Sequence, residues 1–411
     1  MSIAPKLTSS RRLGRAPEVD ERVWVGTVDA HGHEMVLDGA IGPWGGSEDV
    51  AQLLLLEEGI PRCWLYLDRA EMDSAAERHG KLQSAYASLE RAEKRPPAPD
   101  LVSMDVVICT RDRSEQLARG LERLLAVADP DVGIIVVDNA PRDESVKDVV
   151  AEASRKRAGV RRVVELRPGL SRARNAGLRA SGADVIAFTD DDTVVHPGWT
   201  GRLRAAFSYA GQVGIVTGLV APAEIARRSQ ALFEKRVKWS DRLDMEVYSM
   251  DERDRYAWAF PYAAGNFGTG ANFAVDREIA LSFGGFDEAL GAGTRSAAGE
   301  DFKLFIQVVR AGYRLIYEPG AIVWHIHRTN EAELRRQVTG YGSGMAACFV
   351  SLSLEPGRGD MLRGVWNGAR ALMGARRSEV AYGVPRRYSA FEAFGVLTGP
   401  AKYVVDRLKE H

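Results

Sequence analysis

The sequence predicts an α/β protein: a mostly parallel sheet flanked by helices, with a small α+β unit before it and a helical extension after it. Three observations carry this reading. From Met104 the chain alternates short β-branched runs with amphipathic helical stretches, the mark of repeated β-α units. A stretch rich in proline, Arg95-Pro96-Pro97-Ala98-Pro99, cannot continue a helix and separates that region from what precedes it. Beyond residue 330 strand signals give way to helical ones.

Residues 1–20 are charged and lack an apolar core, so they read as a disordered lead-in and not as a secretory signal. Residues 21–95 form the small α+β unit. Its strand-like pieces RVWVGTV and EMVLDGA are followed by Val50–Leu56 as a helix, then PRCWLYLD and a long polar helix, Glu71–Lys94. Trp24, Trp44 and Trp64 are evenly spaced in unlike surroundings and are expected as core anchors. This unit is open to three roles: binding acceptor, binding a partner, or pairing two copies as a homodimer. Residues 96–103 are the linker.

Residues 104–330 hold the main sheet. Strands are expected at Asp105–Thr110, Gly133–Asp138, Val160–Leu166 and Asp184–Thr189. Between the first two, Leu117, Leu121, Leu124 and Leu125 share one face of a helix that Ser114 could cap. Residues 331–411 form the extension. Glu331–Leu354 reads as a helix interrupted by Gly340, Gly342 and Gly344, and the tail mixes arginines with Trp366, Tyr382, Tyr388, Phe391 and Tyr403.

Composition removes several function classes. The net charge of −1 on 411 residues gives no field for nucleic acid. Cys63, Cys109 and Cys348 contain no Cys-x-x-Cys, which supports neither a disulfide framework nor a zinc ribbon. A reducing, cytoplasmic location is expected. No apolar run approaches the ~20 residues that span a bilayer. The basic, aromatic tail suits peripheral contact with an anionic membrane face, or simple packing on the main sheet.

Ligands of parallel sheets bind beyond the carboxyl ends of the strands. There the sequence has Thr110-Arg111-Asp112, Asp138-Asn139 and Asp190-Asp191-Asp192. Neither a Gly-x-Gly-x-x-Gly turn nor a Walker loop follows any strand, which argues against dehydrogenases and ordinary NTPases. Three adjacent carboxylates repel unless a cation joins them, and Mg²⁺ or Mn²⁺ would also bridge a pyrophosphate. A solvated acidic turn is the plainer alternative.

Five stretches together carry a resemblance to the family 2 glycosyltransferases with the GT-A fold: VVICTRDR, IIVVDN, GLSRARNAGLRASGADVIAFTDDD, GGFDEALGAGTRSAAGEDFKLFIQVVRAGYRL and IVWHIHR. The resemblance runs from Met104 to about Thr329. It implies an inverting transferase that moves a sugar from a nucleoside-diphosphate sugar to a hydroxyl of a glycan, lipid-linked or small-molecule acceptor. UDP is the default donor nucleotide, with GDP and dTDP as alternatives. By position in the motifs, Thr110, Arg111, Asp138, Arg174, Asp190 and Asp191 fall on the donor side, and Asp287 beside the sugar. Asp192 and His325 would hold the metal, with His327 as an alternative to His325. Asp301 would be the general base, with Glu300 as runner-up. The chief rivals are a sugar nucleotidyltransferase, which normally has a glycine-rich loop where this chain has Thr110-Arg111-Asp112-Arg113-Ser114, and an inactive donor-binding protein.

Overall fold

The structure, a computed structural model, describes residues 12–31, 34–89, 102–209, 211–251, 260–355 and 384–409. The first sheet contains β1 (Arg12–Leu13), β2 (Val23–His31), β3 (Glu34–Gly39), β4 (Val50–Glu57) and β5 (Ile60–Asp68). Part of the lead-in is therefore ordered. Arg12 and Leu13 pair in parallel with Trp64 and Leu65, and Arg12 donates to the Tyr66 hydroxyl at 2.8 Å.

Val50–Leu56, expected as a helix, is strand β4. Its apolar run is continuous because both faces are covered, so periodicity alone could not distinguish strand from helix. Val50, Leu54 and Leu56 face one cluster, whereas Ala51, Leu53 and Leu55 face another, the alternation of a strand. The long polar helix is two helices, α1 (Arg69–Asp73) and α2 (Ala75–Ala87). Ser74 breaks it: its backbone is extended, and its hydroxyl accepts from Glu77 N at 3.3 Å as the cap of α2. Residues 90–101, with the end of that helix and most of the linker, lie outside the described residues.

The second sheet begins with β6 (Met104–Thr110), α3 (Ser114–Val127), β7 (Gly133–Asn139), α4 (Ser145–Lys156) and β8 (Val160–Glu165). It continues with α5 (Leu170–Ala180), β9 (Val185–Asp190), β10 (Thr193–Val195), α6 (Trp199–Ala206) and β11 (Val213–Pro222). Then come β12 (Glu224–Ile225), α7 (Arg228–Val237), β13 (Glu246–Tyr248), β14 (Asn272–Asp276), α8 (Arg277–Ser282), α9 (Glu300–Arg310) and β15 (Arg314–His325). Strands run in the order β10-β15-β11-β14-β9-β6-β7-β8, with β13 added beside β15. The β9-β6-β7-β8 block and the β11–β15 pair are parallel, while β14 is antiparallel to both its neighbours. Helix α3 starts at Ser114 with Arg113 in the cap position, so Ser114 is not the cap.

The two sheets share a core. Strand β12, which follows β11 in the chain, belongs to the first sheet, where it pairs with β2 and places Glu224 opposite Trp24. Val23, Val25, Leu54 and Trp64 of the first sheet pack with Leu219, Ala221 and Trp324 of the second.

The extension is α10 (Glu331–Ser353) and α11 (Arg386–Arg407). The glycines of α10 do not interrupt it; Gly342, with Gly395 of α11, lets that helix approach. A Cβ at Gly342 would lie 2.2 Å from the Glu392 carbonyl oxygen, and one at Gly395 would lie 2.1 Å from that of Thr339. Gly344 likewise sits against Ala298, next to the start of α9. The extension thus braces the segment that leads into α9. Helix α11 turns Phe394, Leu397, Val404, Val405 and Leu408 outward, with Leu397 80% exposed. Residues 356–383, including Trp366 and Tyr382, lie outside the described residues. Among the described residues no helix is long and apolar enough to cross a membrane.

Candidate active site

Strand register aligns the polar residues at the carboxyl ends. Thr110 lies opposite Asp138, and Cys109 opposite Asp190. The chain then turns through Asp191 and Asp192 into β10, whose antiparallel pairing sets Thr193 against His325. Ile326 N donates to the Asp192 carbonyl at 3.0 Å. This ladder brings a residue from the end of β15 beside the acidic turn.

Asp190, Asp192 and His325 each offer a ligand atom within 4.8 Å of the others. Asp192 divides its contacts: Oδ2 faces Arg328 at 3.2 Å and Arg113 at 3.7 Å, while Oδ1 faces His325 Nε2 at 3.6 Å. Burial lowers the pKa of His325 to about 4, with Asp192 opposing, so the imidazole is neutral at pH 7 and its lone pair is available. Asp190 is pushed up to about 7, first by removal from water and then by Asp192 and Asp191, with Arg174 opposing. Two carboxylates and a neutral imidazole are a donor set that suits Mn²⁺, and Mg²⁺ less well because of the nitrogen. The residues fit the ion.

Arg174, on α5, connects this turn to α9. Its side chain is almost fully buried, donating to Glu300 Oε1 at 2.7 Å and to the Gly270 carbonyl at 2.9 Å, with Asp190 Oδ1 at 3.8 Å. Phe188, Phe273 and Phe286 surround the guanidinium at 5.5–6.0 Å. Glu300 is buried and its Oε2 has no partner. Burial first, then Asp301, raises its pKa to about 7 against the pull of Arg174.

Asp301 is half-buried, and its Oδ1 accepts from Phe302 N at 2.8 Å. Gly270 separates it from Arg174: a Cβ there would lie 2.8 Å from Asp301 Oδ2 and 2.9 Å from the guanidinium. Here glycine is a steric requirement. Tyr341 and Trp239 are 6.4 Å apart, with Trp239 edge-on to His325 at 6.2 Å. Arg174 thus joins the acidic turn, through Asp190, to the head of α9, through Glu300, and Trp239 stands beside His325.

The other expected residues are placed as follows. Thr110 donates to Asp191 Oδ2 at 2.7 Å and Arg113 to Oδ1 at 3.0 Å, so Asp191 is internally bonded at the floor of the turn. Asp138 is fully buried and held by Arg162 at 2.6 and 2.9 Å, though its Oδ1 is unpartnered. Arg111 is exposed at the rim beside Asp112. Asp287 is bonded elsewhere: Oδ2 takes Lys303 at 2.8 Å, Tyr403 at 3.0 Å and Ser351. Despite burial, Lys303 holds its carboxyl below the ordinary value. In this structure its contacts tie α9, α10 and α11 together. His327 also does not face the turn; it lies behind His325 with Nδ1 to Nδ1 at 2.9 Å.

Sequence reasoning missed Arg113, Arg328, Glu234, Trp239 and Tyr341 in this site. Arg113 and Arg328 fell inside the quoted motifs and were detectable as charges flanking the acids. Glu234, Trp239 and Tyr341 come from separate elements and had no local signal.

Several known proteins resemble this chain. A pre-mycofactocin glycosyltransferase of Mycobacterium tuberculosis is 31% identical over 182 residues, 44% of this chain and 35% of its own length. The chain thus spans about a third of that relative. A glucosyl-dolichyl phosphate glucuronosyltransferase of Haloferax volcanii is 24% identical over 240 residues, 54% of this chain and 69% of its own length. Among solved structures, a mannosyltransferase from Pyrobaculum calidifontis, in complex with GDP-Man and Mn²⁺, aligns with a TM-score of 0.48 at 15% identity, covering 81% of this chain and 93% of that one. Residues 99–340, more than half of the chain, match the model of the family described as Glycosyltransferase like family 2. The chain belongs to that family.

Proposed function

We propose that the protein is an inverting glycosyltransferase that moves a sugar from a nucleoside-diphosphate sugar, UDP-linked by default, to a hydroxyl acceptor. What supports this reading is the bridge through Arg174 and Gly270 between a group of residues suited to a metal ion and the half-buried carboxylate of Asp301. Asp190, Asp192 and His325 would hold Mn²⁺ or Mg²⁺. When bound, the ion would neutralise charge on the departing diphosphate.

The chain's own residues then have distinct roles. Asp301 takes the proton of the acceptor hydroxyl as that oxygen bonds to the anomeric carbon and the bond to the diphosphate oxygen breaks. Glu300 is occupied with Arg174 and is better suited to hold it than to reach the acceptor. Trp239 and Tyr341 offer apolar faces against which a sugar ring can rest.

A panel of nucleoside-diphosphate sugars with purified protein and Mn²⁺, read by release of nucleoside diphosphate, tests the proposal. Turnover of one donor is expected. Asp192→Ala should abolish Mn²⁺ binding in calorimetry and cut turnover on the order of 10²-fold or more. Release of pyrophosphate from a sugar phosphate and an NTP would instead assign a nucleotidyltransferase.

The exposed apolar residues of α11 support peripheral contact with a lipid surface, which would suit a lipid-linked acceptor. Full-length protein is expected to co-sediment with anionic vesicles more than Phe394→Ser/Leu397→Ser does. Equal sedimentation would leave a soluble acceptor as the better reading.

A further inference from the structure

We propose that Glu234 and His327 are positioning residues that fix the tautomer of His325, leaving its Nε2 lone pair facing Asp192 and available to a divalent cation. This inference rests on the metal-dependent reading above.

A single file of buried contacts carries it. His325 Nε2 faces Asp192 Oδ1 at 3.6 Å, and His325 Nδ1 meets His327 Nδ1 at 2.9 Å. His327 Nε2 meets Glu234 Oε2 at 3.0 Å, and the other oxygen of Glu234 accepts from the Ser240 hydroxyl. All five residues are at most 9% exposed. Water therefore offers little alternative for their hydrogen bonds.

Proton placement follows from the donor inventory. An ionised carboxylate only accepts, so His327 must carry hydrogen on Nε2. A neutral His327 then has a bare Nδ1, which can only accept. Across the 2.9 Å contact His325 must donate, placing its hydrogen on Nδ1 and leaving Nε2 bare. If Glu234 lost its charge, this preference would no longer be enforced, and hydrogen on His325 Nε2 would block the cation.

The fold builds this file deliberately. Gln230 and Glu234 lie one turn apart on α7, so both face the exit of β15. Gln230 donates to the His327 carbonyl at 3.2 Å, while its own carbonyl oxygen accepts from Ala226 N and Arg227 N. Trp64 of the first sheet donates to the Ser240 carbonyl at 2.9 Å, and Arg12 pairs with Asp241. The N-terminal unit thereby braces the far end of the relay. A histidine ligand whose second nitrogen is fixed by an outer partner is a recurrent device of metal sites.

The test uses the full chain, labelled with ¹⁵N. In metal-free protein, long-range ¹H–¹⁵N correlation should show His325 protonated on Nδ1 and bare on Nε2. Glu234→Gln should weaken that signature and raise the Kd for Mn²⁺ about 10–100-fold by electron paramagnetic resonance. A general packing defect would lower the melting temperature without changing the tautomer. His325 protonated on Nε2 in wild type would overturn the proposal, as would Glu234→Gln with unchanged tautomer and unchanged Mn²⁺ affinity. The wild-type measurement stands even if the variant does not fold. Failure of wild type to bind Mn²⁺, with His325 still protonated on Nδ1, would sink the metal reading and leave the relay intact.

Discussion

Replacing Asp301 by Asn is expected to lower transfer about 10²–10⁴-fold, the range for loss of a general base. Donor affinity measured by calorimetry should stay within a few-fold of wild type. Asn keeps the shape of the side chain and the acceptor for Phe302 N, so α9 should begin as before. What it loses is the ability to take a proton. Glu300→Gln is the matched control. Glu300 is buried, bonded to Arg174 and directed inward, so its loss should appear in stability before turnover. Wild-type turnover in Asp301→Asn would remove Asp301 from the role. Loss of turnover confined to Glu300→Gln, with stability intact, would transfer it.

The sequence made the main sheet legible because its strands are β-branched runs between amphipathic helices, so Met104–Thr110, Gly133–Asn139 and Val185–Asp190 fall within a residue or two of expectation. β4 was not legible, since a strand covered on both faces loses its alternation of polar and apolar residues. The glycines of α10 looked like breaks, yet Gly342 is required by close contact with α11 and Gly344 by close contact with Ala298. Asp190, Asp192, His325, Arg174, Glu300 and Asp301 were readable only through the family resemblance, and in the structure Arg174 links Asp190 to Glu300 while Asp190, Asp192 and His325 lie together. The contacts of Asp287 were not readable in the same way. Its sequence neighbours fit the pattern, but Lys303, Ser351 and Tyr403 capture its carboxylate from elements far along the chain. Local patterns reveal which residues stand at a strand end. Which partner reaches them depends on tertiary packing.

Arg174→Met should cost about 3–5 kcal/mol of stability, the usual penalty for breaking a buried ion pair by removing one partner. Met fills the aromatic nest of Phe188, Phe273 and Phe286, so the cavity term is small and the loss is electrostatic. The pH dependence identifies it. In the folded wild type the Glu300 pKa is raised from 4.5 to about 7. Its contribution to stability is therefore fully present below about pH 4.5 and lost as pH rises through 7. Without the guanidinium the folded value rises further, so the variant goes on losing stability above pH 7, where the wild type has levelled off. The gap between them should widen above pH 7 by at most about 1.4 kcal/mol per pH unit. Adding Glu300→Gln removes the stranded charge, and Arg174→Met/Glu300→Gln should recover more than half of the deficit and lose the Glu300 part of its pH dependence, leaving that of Asp190, whose pKa Arg174 also opposes. Urea unfolding of the four proteins at pH 6 and 8.5 measures this. Additive losses in the double variant, together with a gap between Arg174→Met and wild type that is the same at both pH values, would mean that Arg174 acts by packing alone and that the charge bridge between the acidic turn and α9 contributes nothing.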